Sequence, residues 1–256
     1  MNHLDVIERF KNLIGTHYVL TSHWNKLPHT KGWRYGSGSA LAVLKPGKLV
    51  EIWKILEICV EKDFIILMQA ANTGLTGGST PFGNNYDRPV VVINTMRIDH
   101  IHIIKGGNQI VSLAGSTLYS LEKKLKPYGR EPHSIIGSTS IGASIVGGVC
   151  NNAGGSLVQR GPSYTQMALY AKINKAGNLE LVNELGINLG STPEEILENL
   201  QNKNYQESDI PETDKLCSDN KYSQIVREIE MNSPSRFNSD TRLLYGASGS
   251  AGKIAV

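Results

Sequence analysis

The sequence predicts an α+β fold, and three observations lead there. A strand–helix–strand unit over residues 40–68 suits a small parallel sheet. Two hairpin signals follow, Lys105-Gly106-Gly107-Asn108 and Ala176-Gly177, each set between short apolar runs. Amphipathic helical stretches stand before, between and after these strands.

Residues 4–14 open the chain as a short amphipathic helix, with Val6, Ile7, Phe10, Leu13 and Ile14 on one stripe. Residues 40–44 read as a strand, stopped by Lys45-Pro46-Gly47. A helix follows at 48–62, where Leu49, Ile52, Trp53, Leu56 and Val60 recur at helical spacing. Strand 64–68 comes next. Residues 90–93 and 98–104 are strands, and 109–114 pairs with the latter across the first hairpin. A helix at 117–126 presents Leu118, Leu121 and Leu125. Residues 168–174 and 178–182 form the second hairpin. Thr192-Pro193-Glu194-Glu195 reads as a capping box with proline in the first turn, opening a helix to residue 201. Residues 202–221 are polar and read as a surface excursion.

The chain has 256 residues, enough for one large domain or two small ones. Hydrophobic content of 40% with 19% charged residues is ordinary for a globular protein. The formal charge of +3 is small, and no basic patch with interleaved aromatics points to nucleic acid. Cys59, Cys150 and Cys217 form no Cys-x-x-Cys pair, which argues for a reducing compartment, and Cys150 reads as a small packing residue. His100 and His102 alternate on an expected strand and would share a face, but two histidines make a poor metal site, so no metal is expected. The N-terminus carries Asp5, Glu8 and Arg9 and no long apolar core, unlike a secretory signal. No apolar run has the length needed to span a bilayer.

Two segments stand apart from this ordinary background. The first, residues 68–81, follows the strand at 64–68 and is rich in glycine and hydroxyl side chains. Such a strand exit is a usual place for backbone N–H groups to wrap a phosphate. Gly74, Gly77 and Gly78 allow close approach to a ligand, while Asn72, Thr73, Thr76 and Ser79 add side-chain donors. The second, residues 136–156, holds six glycines and no charge; Glu131 and Arg160 are the nearest charged residues. A charge-free, glycine-dense run suits close packing around a large flat ligand, or alternatively a buried helix flanked by tight turns. Together the two segments suggest opposite walls of one elongated cofactor site.

Common nucleotide motifs fail on spacing. Gly74-Leu75-Thr76-Gly77-Gly78 does not give Gly-x-Gly-x-x-Gly, and Pro81 argues against a helix starting there. Near the end, Gly252-Lys253 mimics a P-loop, but Ile254 replaces the required hydroxyl and Ala247 the first glycine.

The stretch Ala70 to Pro81 resembles the pyrophosphate loop of the p-cresol methylhydroxylase/vanillyl-alcohol oxidase type of FAD domain. Within that superfamily it is similar to bacterial quinone-dependent D-lactate dehydrogenases. Tyr119 to Lys123, Lys126-Pro127, Gly129 to Ser134, Ile141 to Ser144, Cys150 to Asn152, Gly154 to Pro162 and Ala251 to Lys253 carry the same resemblance, which extends from about Leu20 onward.

The resemblance implies a two-subdomain FAD-binding domain with the cofactor between the subdomains. Residues 1–35 would be a helical lead-in, 36–202 the FAD domain (36–95 and 96–202 its subdomains), and 203–256 a polar excursion with the start of a returning strand. Ala70, Ala71, Asn72, Thr73 and Gly74, with Gly78 and Ser79, would hold the FAD pyrophosphate. Gly137, Ser144 and Gly154 would line the second wall, and Val256 falls where the family returns a backbone contact to the cofactor. Some relatives attach flavin covalently through a histidine in the first loop; none occurs here, so FAD is expected to be held noncovalently. His133 is expected in a solvent-facing or capping role, and Arg130 and Arg160 in surface or structural pairing.

The implied activity is oxidation of D-lactate to pyruvate with electrons passed to quinone, this chain supplying the flavin-binding part. A non-catalytic FAD-binding remnant, or an oxidoreductase of another 2-hydroxy acid, are the alternatives. Family enzymes run to about twice this length, so the chain is expected to be truncated before the substrate-covering and membrane-binding parts. No residue matches the catalytic base or the carboxylate clamp. The implied location is cytoplasmic, with intact relatives peripheral on the cytoplasmic face of the inner membrane through a segment that has no counterpart here.

Overall fold

Val6, Ile7, Phe10 and Ile14 form the buried face of helix α1 (His3–Ile14). They lie in a core cluster that also holds Ile52, Ile55 and Leu56. Phe10 is fully buried, which contributes about 2–3 kcal/mol over an exposed ring. The computed structural model describes residues 3–219, 221–228, 230, 246–250 and 252–256. Ala251, one of the residues carrying the resemblance, lies outside the described residues, as do 220, 229 and 231–245 of the expected polar excursion.

After α1 come strand β1 (Val19–Leu20) and helix α2 (His23–Thr30). Ser22 caps α2 by accepting from the Asn25 amide at 3.4 Å. Strand β2 (Ala42–Leu44), helix α3 (Leu49–Glu61), and strands β3 (Ile65–Gln69) and β4 (Val90–Asn94) complete the first unit. Glu51 holds the start of α3, its Oε2 accepting from Gly47 N at 2.7 Å and Lys48 N at 3.2 Å.

The four strands form one sheet in the order β1-β2-β4-β3. Strands β2, β4 and β3 are mutually parallel, and β1 joins the edge of β2 antiparallel. Residues of the expected lead-in therefore enter the sheet. Strand period two sorts the side chains. Ala42, Leu44, Val91 and Ile93 face the cluster of α1 and α3, while Val43, Val90 and Val92 form a second cluster. Strand β4 is buried along its whole length, as a central parallel strand should be.

Residues 98–104 do not form one strand. Ile98 N donates to Thr95 O in a turn, and β5 begins only at Ile101 (Ile101–Ile104). His100 thus stays exposed outside the strand, while His102 is buried and meets Tyr205 Oη at 2.8 Å, so the two histidines do not share a face. Strand β6 (Gln109–Ser112) pairs antiparallel with β5 as expected. Helix α4 (Leu118–Leu125) buries Leu118, Leu121 and Leu125. The short helix α5 (Ile145–Cys150) lies within the second glycine segment. Strands β7 (Leu169–Ile173) and β8 (Leu179–Asn183) form the second hairpin.

Helix α6 (Pro193–Gln201) starts at Thr192, whose Oγ1 accepts from Glu195 N at 3.3 Å. The reciprocal half of the expected capping box is displaced by one residue: Glu195 Oε2 accepts from Ser191 N at 2.9 Å. Gly190, at φ 119°, lies so close that a Cβ there would sit 2.3 Å from the Glu195 carboxyl carbon. A four-residue helix, α7 (Tyr222–Ile225), completes the described helices. Leu197 and Leu200 of α6, with Ile104 and Val111 of the first hairpin, join the same cluster as α1 and α3, so both halves of the chain share one core.

Candidate functional site

Strand β3 ends on a polar residue, Gln69, that is only 2% exposed. Its side chain is a hub. Gln69 Nε2 donates to His29 O and Ser79 O, both at 2.8 Å. Gln69 Oε1 accepts from His29 Nδ1 at 2.8 Å and from Asn94 Nδ2 at 3.2 Å. Asn94 Nδ2 also donates to Ala70 O at 2.9 Å. Both ends of the first glycine segment are therefore fastened to the ends of two parallel strands and to α2. The register pairs Gln69 with Asn94, which puts the two amides side by side. Burial outweighs the Gln69 hydrogen bond and pushes the His29 pKa down.

Between these fastenings the chain turns outward. Asn72 adopts a left-handed conformation, φ 57°, which asparagine tolerates better than most residues. Its Nδ2 donates to Lys31 O at 2.9 Å and its Oδ1 accepts from Ser79 Oγ at 2.9 Å. The side chains of Asn72 and Ser79, expected as donors to a ligand, are thus taken up inside the loop. The main chain is left free. Among the described residues no protein acceptor takes a backbone N–H from Ala71 to Ser79. A Cβ added at Gly74 or Gly78 would meet nothing within 4 Å. No Asp, Glu, Lys or Arg occurs from Phe64 to Tyr86. Gly77, at φ 75°, packs against the Tyr35 carbonyl, and Tyr35 stacks on Phe82 with centroids 5.7 Å apart. A run of open amides without competing carboxylates is what a backbone anion-binding loop requires.

Thr95 connects this loop to the second segment. Its Oγ1 lies 3.4 Å from Gln69 O and donates to Ala114 O at 3.2 Å. Two residues on, Ile145 N donates to Ser116 O at 2.9 Å, and Thr117 bridges Ser144. Ser144 is buried and caps α5, its Oγ accepting from Gly147 N at 3.0 Å. Val256 and Val149 of α5 both pack against the cluster of Ala168, Tyr170 and Ala247, while Ala255 bridges Ala171 of β7. Gly154 is half-buried just beyond α5. Gly155 presses on the 135–136 backbone, where a Cβ would lie 1.8 Å from Ile135 O. Gly137 follows that contact and stays exposed. Of the expected site residues, Ala70 to Gly74, Gly78 and Ser79 form one group. Ser144, Gly154 and Val256 gather around α5, and Thr95 joins the two groups.

Unpaired buried polar atoms concentrate on the second segment and its surroundings. They include His133 Nε2, Ser134 Oγ and both amide atoms of Asn152. Each such group costs about 1–3 kcal/mol when it finds no partner. Of the two roles expected for His133, solvent-facing or capping, the first does not hold: the residue is half-buried, and burial pushes its pKa down. Arg160 does pair structurally, with Glu131 and with Pro132 O at 3.3 Å. Burial pushes the Cys150 thiol up, consistent with packing rather than nucleophilic chemistry. A cavity of about 700 Å³ adjoins this region. Trp53, Met68, Val111, Ile145, Val149 and Val256 are among its walls, and His133 and Ser134 also border it. Its size and apolar lining suit an organic ring system.

Among the described residues, no three metal-ligating side chains come together, and no helix is long and apolar enough to cross a membrane. The hub of Gln69, Asn94, His29 and Thr95 was absent from the sequence expectations. Its visible signal is a lone amide residue closing each of two apolar strands.

Comparison with known proteins agrees with this geometry. The model of the FAD binding domain family matches residues 40–177, which include both glycine segments. The chain is 56% identical over 251 residues to the quinone-dependent D-lactate dehydrogenase of Haemophilus influenzae, and 53% identical over 250 residues to that of Escherichia coli. Each match covers 98% of this chain and 44% of the relative, so the chain spans less than half the length of the curated relatives it matches. Among solved structures, alkyldihydroxyacetonephosphate synthase aligns with a TM-score of 0.60 at 14% identity over 77% of this chain and 37% of that one. p-Cresol methylhydroxylase with substrate bound aligns with a TM-score of 0.52 at 15% identity over 75% of this chain and 37% of that one. These likenesses place the fold among flavoenzyme domains of the p-cresol methylhydroxylase type. The open amides between two fastened loop ends, the orphaned polar groups facing no protein partner and the family match converge: this chain belongs to the FAD binding domain family, with FAD as its cofactor.

Proposed function

We propose that this chain is the flavin-holding part of an enzyme that oxidises D-lactate to pyruvate and passes the electrons to quinone. The free backbone amides from Ala71 to Ser79 carry the reading. They offer a diphosphate linkage many donors and no repelling carboxylate. In this reading Ala70, Ala71, Asn72, Thr73, Gly74, Gly78 and Ser79 hold the pyrophosphate. Gly137, Ser144 and Gly154 line the second wall, and Val256 returns a backbone contact to the cofactor, which lies between the units 36–95 and 96–202. When bound, the flavin supplies the two-electron chemistry that takes the Cα hydrogen of a 2-hydroxy acid as a hydride equivalent. The chain's residues bind and orient the cofactor; no acid or base for the substrate is assigned among them.

The names of the curated relatives support D-lactate as substrate and quinone as acceptor. A quinone acceptor resides in the membrane, so the reading puts the protein in the cytoplasm, peripheral to the inner membrane. FAD is held noncovalently, since no histidine occurs between Met68 and Pro81 to form a link.

The test is an absorption spectrum of the purified chain, followed by acid precipitation. Flavin released to the supernatant is the expected result; flavin retained on the precipitated protein would overturn the noncovalent assignment. Gly78→Asp places a carboxylate at an open position in the amide loop and should abolish FAD retention. Unchanged FAD content in that variant would overturn the loop assignment. Dye reduction driven by D-lactate then tests the substrate, with no reduction on D-lactate but reduction on another 2-hydroxy acid refuting it.

A further inference from the structure

We infer that the hairpin at residues 31–37, with the exposed apolar side chains beside it, is a docking face for an anionic lipid surface. The inference deepens the peripheral placement proposed above and rests on that reading for its purpose alone, which is to bring a bound flavin near an acceptor in the bilayer.

Lys31 and Ser37 form an antiparallel bridge, and Gly32 N donates to Gly36 O at 2.8 Å. Trp33, Arg34 and Tyr35 are carried at the tip between the two glycines, and all three are exposed, Trp33 by 61%. The tip is firmly held. Gly36 turns the chain at φ 91°, and Gly32 comes so close to Tyr35 O that a Cβ there would collide with it. Gly83 N donates to Ser37 O at 2.8 Å and Ser39 N to Gly83 O at 3.2 Å, which fixes the base of the hairpin to the end of the first glycine loop. Tyr35 stacks on Phe82, which is itself exposed, as is Leu75 of the same loop. On α2, Trp24 and Leu27 stand three residues apart, on one side of the helix, and are exposed too. Single exposed apolar residues need no explanation, whereas a group of them rimmed by polar residues marks an interaction site.

Charge decides the kind of partner. No Asp or Glu occurs from Phe10 to Val50 or from Phe64 to Tyr86. Lys31 and Arg34 are exposed, and no ion pair among the described residues involves either. Interfaces between proteins are depleted in lysine and mix both signs at their rims. Tryptophan and tyrosine set beside lysine and arginine, with no carboxylate near, suit the headgroup level of a bilayer. There the rings sit among the upper acyl chains and the cations meet lipid phosphates.

The 256-residue chain is mixed with vesicles of phosphatidylcholine alone and of phosphatidylcholine with phosphatidylglycerol, and binding is read by co-sedimentation and tryptophan emission. Trp53 is only 6% exposed while Trp24 is 78% exposed, so a blue shift reports Trp24 and Trp33. The expected result is binding to the anionic vesicles with a blue shift, weakening as salt is added. Trp33→Ala should lower the affinity about tenfold, and Lys31→Gln and Arg34→Gln about fivefold each. FAD retention should be unchanged in Trp33→Ala. No binding to anionic vesicles, or binding that none of the three substitutions weakens, would overturn the inference. So would a dimer formed without lipid and lost in Trp33→Ala, which would assign the face to a second copy of the chain. Weaker FAD retention in Lys31→Gln and Arg34→Gln with no vesicle binding would assign the two cations to the cofactor diphosphate and overturn it equally. Should Trp33→Ala fail to fold, the two charge variants and the salt dependence decide. A chain that takes up FAD but ignores vesicles loses this inference alone; one that binds vesicles but takes up no FAD loses the cofactor reading alone.

Discussion

Replacing Gln69 by leucine removes the fastening of the first loop while nearly preserving side-chain volume. Four hydrogen bonds are lost, to His29 O, Ser79 O, His29 Nδ1 and Asn94 Nδ2. Asn94 Nδ2 keeps Ala70 O, so three groups are left bare. At about 1–2 kcal/mol each, the loss is about 3–6 kcal/mol. The buried leucine returns about 1–2 kcal/mol. The net destabilisation is therefore about 3 kcal/mol, which for a chain of this size lowers the melting temperature by about 6–12 °C. Circular dichroism melts of the FAD-free chain read this directly. A FAD titration of the same variant should show weaker binding, because both loop ends depend on this amide. A melting temperature within about 2 °C of the unaltered chain, a loss below about 1 kcal/mol, would refute the hub.

Gly155→Ala should destabilise the chain by about 2 kcal/mol or more, since its Cβ collides with a main-chain carbonyl, whereas Gly137→Ala, with open space around it, should change stability by less than about 0.5 kcal/mol. Urea midpoints of the two variants check the contrast. Burial lowers the pKa of His29, His102 and His133 below the ordinary 6.5. Their contribution to stability is present above that value and is lost as pH falls, because the unfolded chain takes up protons that the folded one refuses. Melting temperature should accordingly drop from about pH 7 to about pH 5, before exposed Glu61, held at about 2 first by its Arg9 hydrogen bond, titrates. A flat profile across that window would contradict the burial of the three imidazoles. Tyr205→Phe leaves the His102 ring nitrogen bare and should cost about 1–2 kcal/mol, measured by urea denaturation.

Much of this architecture was legible in the residues. Apolar periodicity located α1, α3 and α4, the Thr192 capping signal located α6, and β-rich runs located β3, β4 and both hairpins. The exceptions share a physical cause: tertiary contacts, not local pattern, decide them. β1 is two residues long and exists because it borders β2. α2 carries Pro28 within it and exposes Trp24 and Leu27, so no stripe announces it. α5 holds Gly147 and Gly148, poor helix formers, and is fixed by the Ser144 cap and by Ser116. In the candidate site the glycines were readable, because open backbone needs missing side chains. The division of labour within the loop was not. Asn72 and Ser79 look like ligand donors in sequence, but their partners, each other and Lys31, depend on how the loop folds. Gln69 likewise resembles any polar residue ending a strand until the register sets it beside Asn94.

The dependence of the loop on Gln69, His29 and Asn94 bears on transplanting it. A dozen residues copied into another protein would arrive without the helix carbonyl, the neighbouring strand and the amides that keep their main chain facing outward. The flexible piece left over would have to be ordered by the cofactor itself, weakening its hold in proportion. A successful graft would have to bring α2, β3 and β4 along with the turn between them.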